Sequence, residues 1–179
     1  MLRPRSRLAW IGGVFALTSL AGLATLAALD VRIGVHDGVV LVGSAAFVQE
    51  TRDALTLLFV RDPEAHAFVV GSLDAVVSGR ISRVYPTTPL DVTTMSARTR
   101  AAGTTWYASS LAHEAYHVYQ YDEYVRARTP WQGREAERQC LVFQYGVAQR
   151  LGATASALDH INYGLNLRYW DVQPVAQTW

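Results

Sequence analysis

The chain carries one run of residues whose types and spacing define a chemistry: His113-Glu114-Ala115-Tyr116-His117, the pattern H-E-x-x-H. Residues four apart on a helix project from one face about a turn from each other. Two imidazoles so placed can bind one zinc ion, and the glutamate between them is directed at the water beside it. Catalytic zinc takes three protein ligands and keeps a fourth position open. With the histidines used, the most economical third donor is a carboxylate on a following helix, and the GREAER stretch from Gly133 to Arg138 supplies Glu135 and Glu137. The single cysteine, Cys140, excludes a multi-cysteine cluster, so a metal here draws on histidine and carboxylate. All sixteen basic residues are arginine, which removes P-loop phosphate binding, Schiff-base chemistry and lysine general bases.

The elements that must position these groups can be read from pattern. Trp106 to Arg128 runs without proline or glycine and predicts a long helix around the motif. The TPWQ stretch, Thr129 to Gln132, has a capping-box pattern, and Gly152 follows Leu151 as a helix stop, so a second helix fills the interval. On that helix Ala136, Cys140, Phe143, Val147 and Leu151 form an apolar stripe. At ~100 degrees per residue, Glu137 lies about 60 degrees from Cys140 and Glu135 about 140 degrees away on the other side. Phase therefore selects Glu137 as the ligand and leaves Glu135 in solvent.

Upstream, VRIGVHDGVVLVG predicts a hairpin turning at Asp37-Gly38. Ala45 to Arg61 reads as a helix, and DPEA, Asp62 to Ala65, starts another that presents Phe68, Val69, Leu73, Val76 and Val77 and stops at Gly79. RISRVY and LDVTTMS read as short strands, and a last helix covers Ala155 to Arg168. On that helix His160 and Tyr163, three apart, are candidate donors to a tetrahedral oxyanion from the far side of the metal. His36 and His66 read as a turn residue and a helix residue.

HEAYH followed by Glu137, twenty residues beyond His117, resembles the gluzincin branch of the zincin metallopeptidases, and the short chain is similar to minimal versions of that fold. The resemblance spans roughly Leu90 to Leu151. It implies an α+β domain with a short antiparallel or mixed sheet, an active-site helix and a glutamate-bearing helix. LDVTTMS then corresponds to the edge strand that holds substrate in extended form. Residue by residue, it implies that His113, His117 and Glu137 bind one Zn2+ per chain and that Glu114 is the general base. The aspartate that many gluzincins place four residues after the ligand glutamate is replaced here by Leu141. Support for the histidines must come from elsewhere, with Asp159 or a backbone carbonyl as candidates.

The N-terminus has a different character. Arg3, Arg5 and Arg7 precede 22 uncharged residues, Leu8 to Leu29. That length suits a membrane-spanning helix better than a signal-peptide core. Residues 1–29 are thus expected to be an anchor, with the arginines cytoplasmic and residues 30–179 forming one extracytoplasmic domain. Cleavage near Ala27 and Ala28, giving a secreted or periplasmic protein, is the alternative. Without the three leading arginines the net charge falls from +1 to −2, so no basic nucleic-acid footprint exists. The expected function is a zinc metallopeptidase cleaving extended polypeptides outside the cytoplasmic membrane. A cell-wall zinc hydrolase and a non-catalytic, zinc-stabilised, membrane-tethered binding domain are the alternatives.

Overall fold

The structure, a computed structural model, describes residues 30–86, 89–129 and 131–167. It is an α+β domain with a mixed five-stranded sheet and six helices among the described residues. No helix among them is long and apolar enough to cross a membrane, and the expected anchor at residues 8–29 lies outside the described residues.

The hairpin forms as expected from β1 (Arg32–His36) and β2 (Val39–Gly43). Asp37 and Gly38 both take positive φ, 48° and 84°, the pair of left-handed residues that a tight hairpin turn requires. His66 Nε2 lies 2.9 Å from Asp37 Oδ2 and ties the turn to the second helix. That helix, α2 (Pro63–Ser72), follows α1 (Ala45–Arg61) with Asp62 as the shared cap, its carboxylate accepting from Ala65 N–H.

The expected continuation of α2 to Gly79 is corrected. The helix stops at Ser72, and Ala75–Gly79 is β3, paired in parallel with β2 on one side and β5 on the other. Val76 and Val77 fit a helical stripe by spacing, but a strand between two parallel neighbours reads as a continuous β-branched run. Strand pairing outweighed the helical period there.

LDVTTMS also changes place. Its strand β5 (Val92–Ser96) lies inside the sheet, because β4 (Arg83–Tyr85) folds back and pairs with it antiparallel. The order is β1-β2-β3-β5-β4, so the edge on that side is β4.

After the short α3 (Ala97–Ala101), α4 (Thr104–Ala127) crosses the helix layer and buries Tyr107, Leu111, Ala115 and Val118 against α1, α2 and the sheet residues Leu41, Val76 and Met95. Thr51 donates to the Phe47 carbonyl at 2.8 Å, so the buried Tyr107 hydroxyl donates to Thr51 Oγ1 at 2.7 Å. α5 (Arg134–Arg150) begins later than the TPWQ box predicts, with Gly133 in the cap position and no side-chain cap. It ends at Gly152, which takes φ 79°, and Arg150 reaches back to the Asp62 carboxylate at 2.7 Å. α6 (Ala155–Leu167) packs on α5 through Ile161, Leu141 and Ala148.

Candidate metal centre

α4 and α5 make the most extensive helix pair in the domain and bring the two halves of the sequence pattern together. His113 and His117, one turn apart, place their ring centroids 5.0 Å from each other. Across from them, Glu137 projects from the first turn of α5: its Oε2 lies 3.6 Å from His113 Nε2 and its Oε1 lies 3.4 Å from His117 Nε2. Charge-assisted hydrogen bonds are shorter, about 2.7–2.9 Å. Donors that share a tetrahedral ion at ~2.0–2.2 Å stand about 3.3–3.6 Å apart. The two spacings, each to a different oxygen of the Glu137 carboxylate, lie in that range.

The far nitrogens of the two rings are engaged elsewhere. His113 Nδ1 lies 3.1 Å from Gln144 Oε1, and the Gln144 amide donates to Ser110 Oγ at 3.4 Å. His117 Nδ1 lies 3.4 Å from Cys140 Sγ, whose thiol donates to Gln120 Oε1 at 3.3 Å, and Gln120 donates on to the Ala136 carbonyl at 3.0 Å. Each chain ends in an acceptor, which places a proton on each Nδ1 and leaves Nε2 as the ring atom that faces Glu137.

His113, His117 and Cys140 also have donor atoms within 4.8 Å of one another, so this buried group could hold a metal ion. Burial pushes the Cys140 thiol up to about 11 against the opposing pull of His117. Burial opposes the charge on Glu137, yet the two histidines hold its carboxyl well below the ordinary carboxylate range. Burial likewise opposes a charged His117, but Cys140 and Glu137 beside it hold its pKa well above the ordinary imidazole value. The pocket between Glu137 and the histidines thus favours positive charge.

Glu114 is buried on the same helix, and burial pushes its carboxyl up, with His113 and His117 opposing. It lines, with His113, a cleft of about 670 Å³ whose other residues include Ser82, Arg98, Trp106, Gln144, Thr154 and His160. His160 meets Trp106 edge-on at 5.3 Å between centroids. Tyr163 is not brought to the cleft: it is 61% exposed on α6. Glu135 lies in solvent, bonded to Arg138 at 2.8 and 2.9 Å.

Among the described residues Asp159 is exposed, and the Nδ1 atoms of the histidines meet Gln144 and Cys140 rather than a backbone carbonyl. Gln144, Cys140 and Gln120 provide the support. Their spacing was a usable signal: Gln144 follows Glu137 by seven residues and Gln120 follows His113 by seven, two helical turns on the same face. Comparison with protein-family models, with curated proteins and with solved structures gives no match.

Proposed function

We propose that the protein is a zinc-dependent peptidase of the gluzincin type, with His113, His117 and Glu137 holding the ion and Glu114 serving as general base. The observation that carries this reading is the convergence of two Nε2 atoms on the Glu137 carboxylate at 3.6 and 3.4 Å, with Glu114 on the same helix lining an open cleft together with His113. Zinc held there supplies a Lewis acid that polarises a carbonyl and acidifies water. Glu114 takes up a proton on its carboxylate, favoured by its burial, and returns it to the leaving amine. His160, which lines the same cleft, is the candidate donor toward a developing oxyanion.

An extended polypeptide finds a backbone partner in β4, whose outer side is a sheet edge among the described residues. A structural, non-catalytic site would call for Cys140 as the third donor. That thiol sits on the Nδ1 side of His117, opposite Glu137, and burial keeps it protonated, so the carboxylate is the better ligand. Residues 8–29 anchor the chain, with the catalytic domain outside the membrane.

The test is elemental analysis and hydrolysis of an unstructured protein by the full chain and its Glu114→Gln variant. One zinc per chain in both, with hydrolysis reduced by about 10²–10⁴ in the variant, is expected. Full hydrolysis by Glu114→Gln would overturn the mechanism.

A further inference from the structure

The strand register assigns each residue to one of two sheet faces, because paired residues point to the same side. Ile33 pairs with Val42 and Val35 with Val40. The same face continues through Val77 and Thr94 and through Ala75 and Val92 to Arg83 and Tyr85 at the far edge. The other face, with Leu41, Val76 and Val84, packs under the helices.

Six residues of the first face, Ile33, Val35, Val40, Val42, Val77 and Val92, are β-branched and apolar. None belongs to a core cluster or packs against one. Ile33 and Val35 are 50% and 51% exposed. A sheet with one face in water alternates apolar and polar residues, whereas β2 is apolar at each of its first four positions. This face is built to be covered.

The chain itself brings one apolar phase within reach. Only Asp30, Val31 and Arg32 separate Ile33 from the uncharged segment at residues 8–29. Three extended residues span at most about 11 Å, so a membrane anchor ending at Leu29 holds β1 at the bilayer surface. At the opposite rim Tyr85 is 39% exposed, an aromatic of the kind headgroup regions accept. We infer that this open sheet face lies on the outer surface of the bilayer that holds residues 8–29, an inference that rests on the anchor reading above. The metal centre is on the helix side of the sheet, so the bond to be cleaved stands in water, above the membrane.

The experiment uses the full chain reconstituted in phosphatidylcholine vesicles, with Val35→Cys, Ile33→Cys and, on the exposed face of α5, Gln149→Cys, each labelled with an environment-sensitive fluorophore. Cys140 is buried, and the unsubstituted chain serves as the labelling blank. Retention in alkaline carbonate reports the anchor separately. With the chain retained, probes at 33 and 35 are expected to be blue-shifted and quenched several-fold more by nitroxide-bearing lipid than by iodide, and the probe at 149 the reverse. Release by carbonate removes the anchor and the inference with it. A retained chain whose 35 probe is open to iodide leaves the face in water and overturns the inference alone. Protection from both quenchers shows that protein covers the face, either residues 8–29 or a second copy, and also overturns it.

Discussion

His117 and Cys140 meet through Nδ1 and Sγ at 3.4 Å, on the edge of the imidazole away from Glu137. A thiol thus occupies the position where a carboxylate commonly steadies a metal-binding histidine. Replacing Cys140 with Ala leaves both histidines and Glu137 in place but frees the His117 ring. Zinc affinity, measured by competition with a chelator, is expected to fall by about 10–100-fold. Glu137→Ala is expected to fall further. A Cys140→Ala variant that loses the ion as completely as Glu137→Ala would make sulfur a ligand.

The two oxyanion candidates on α6 part company. His160 faces the cleft, whereas Tyr163 is 61% exposed on the helix surface. His160→Ala is expected to lower kcat by about 10²-fold if its ring donates in the transition state, while Tyr163→Phe leaves kinetics unchanged. Steady-state kinetics on one peptide substrate decides, and the opposite ranking would move the donor to Tyr163.

How far these positions were legible follows from what each signal depends on. His113, Glu114, His117 and Glu137 were readable because one helical period fixes which residues share a face, and the helices exist where proline and glycine are missing. β3 was not, since Val76 and Val77 satisfy a helix stripe as well as a buried strand, and only neighbouring strands decide between them. The edge role of LDVTTMS failed for a related reason: whether a strand is inner or outer depends on what folds back beside it, here Arg83–Tyr85. Cys140 was legible as a stripe member and Gln144 was not singled out, and the hydrogen bonds of both to the histidines depend on how closely α4 and α5 approach.

Tyr107 supplies a stability signature at alkaline pH. Burial is the main cause that raises its phenol above the ordinary value of 10.0, with the Thr51 hydrogen bond opposing. A raised folded-state pKa gives stability that is complete below the unfolded value and lost as pH rises toward the folded one. Above pH 10 the unfolded phenol ionises while the folded one stays protonated, so stability falls by up to about 1.4 kcal/mol per pH unit from this group. Urea unfolding between neutral pH and pH 11 should show a shallower alkaline decline in Tyr107→Phe, despite a lower neutral stability. Identical slopes would assign the decline to other groups.

Asp62 holds three elements at one corner: it caps α2 through Ala65 N–H, ends α1, and receives Arg150 from α5 at 2.7 Å. Asp62→Ala removes a cap and leaves Arg150 without its partner, for a loss of about 1–3 kcal/mol. Asp62→Asn keeps the cap and loses only the charge, so chemical denaturation should place it between the two. An Asn variant as unstable as Ala would shift the weight from the cap to the ion pair.

The connection between α4 and α5 has left-handed residues at both ends, Arg128 at φ 59° and Gly133 at φ 92°. Two of the three proposed donors ride on the helix before it and the third on the helix after. Whatever ion occupies the centre is therefore held by a jaw rather than a cage: its escape and the parting of α5 from α4 are one event. Exchange of the ion should then keep time with the opening that exposes the amides in the first turns of α5, and excess ion in solution should slow hydrogen exchange there.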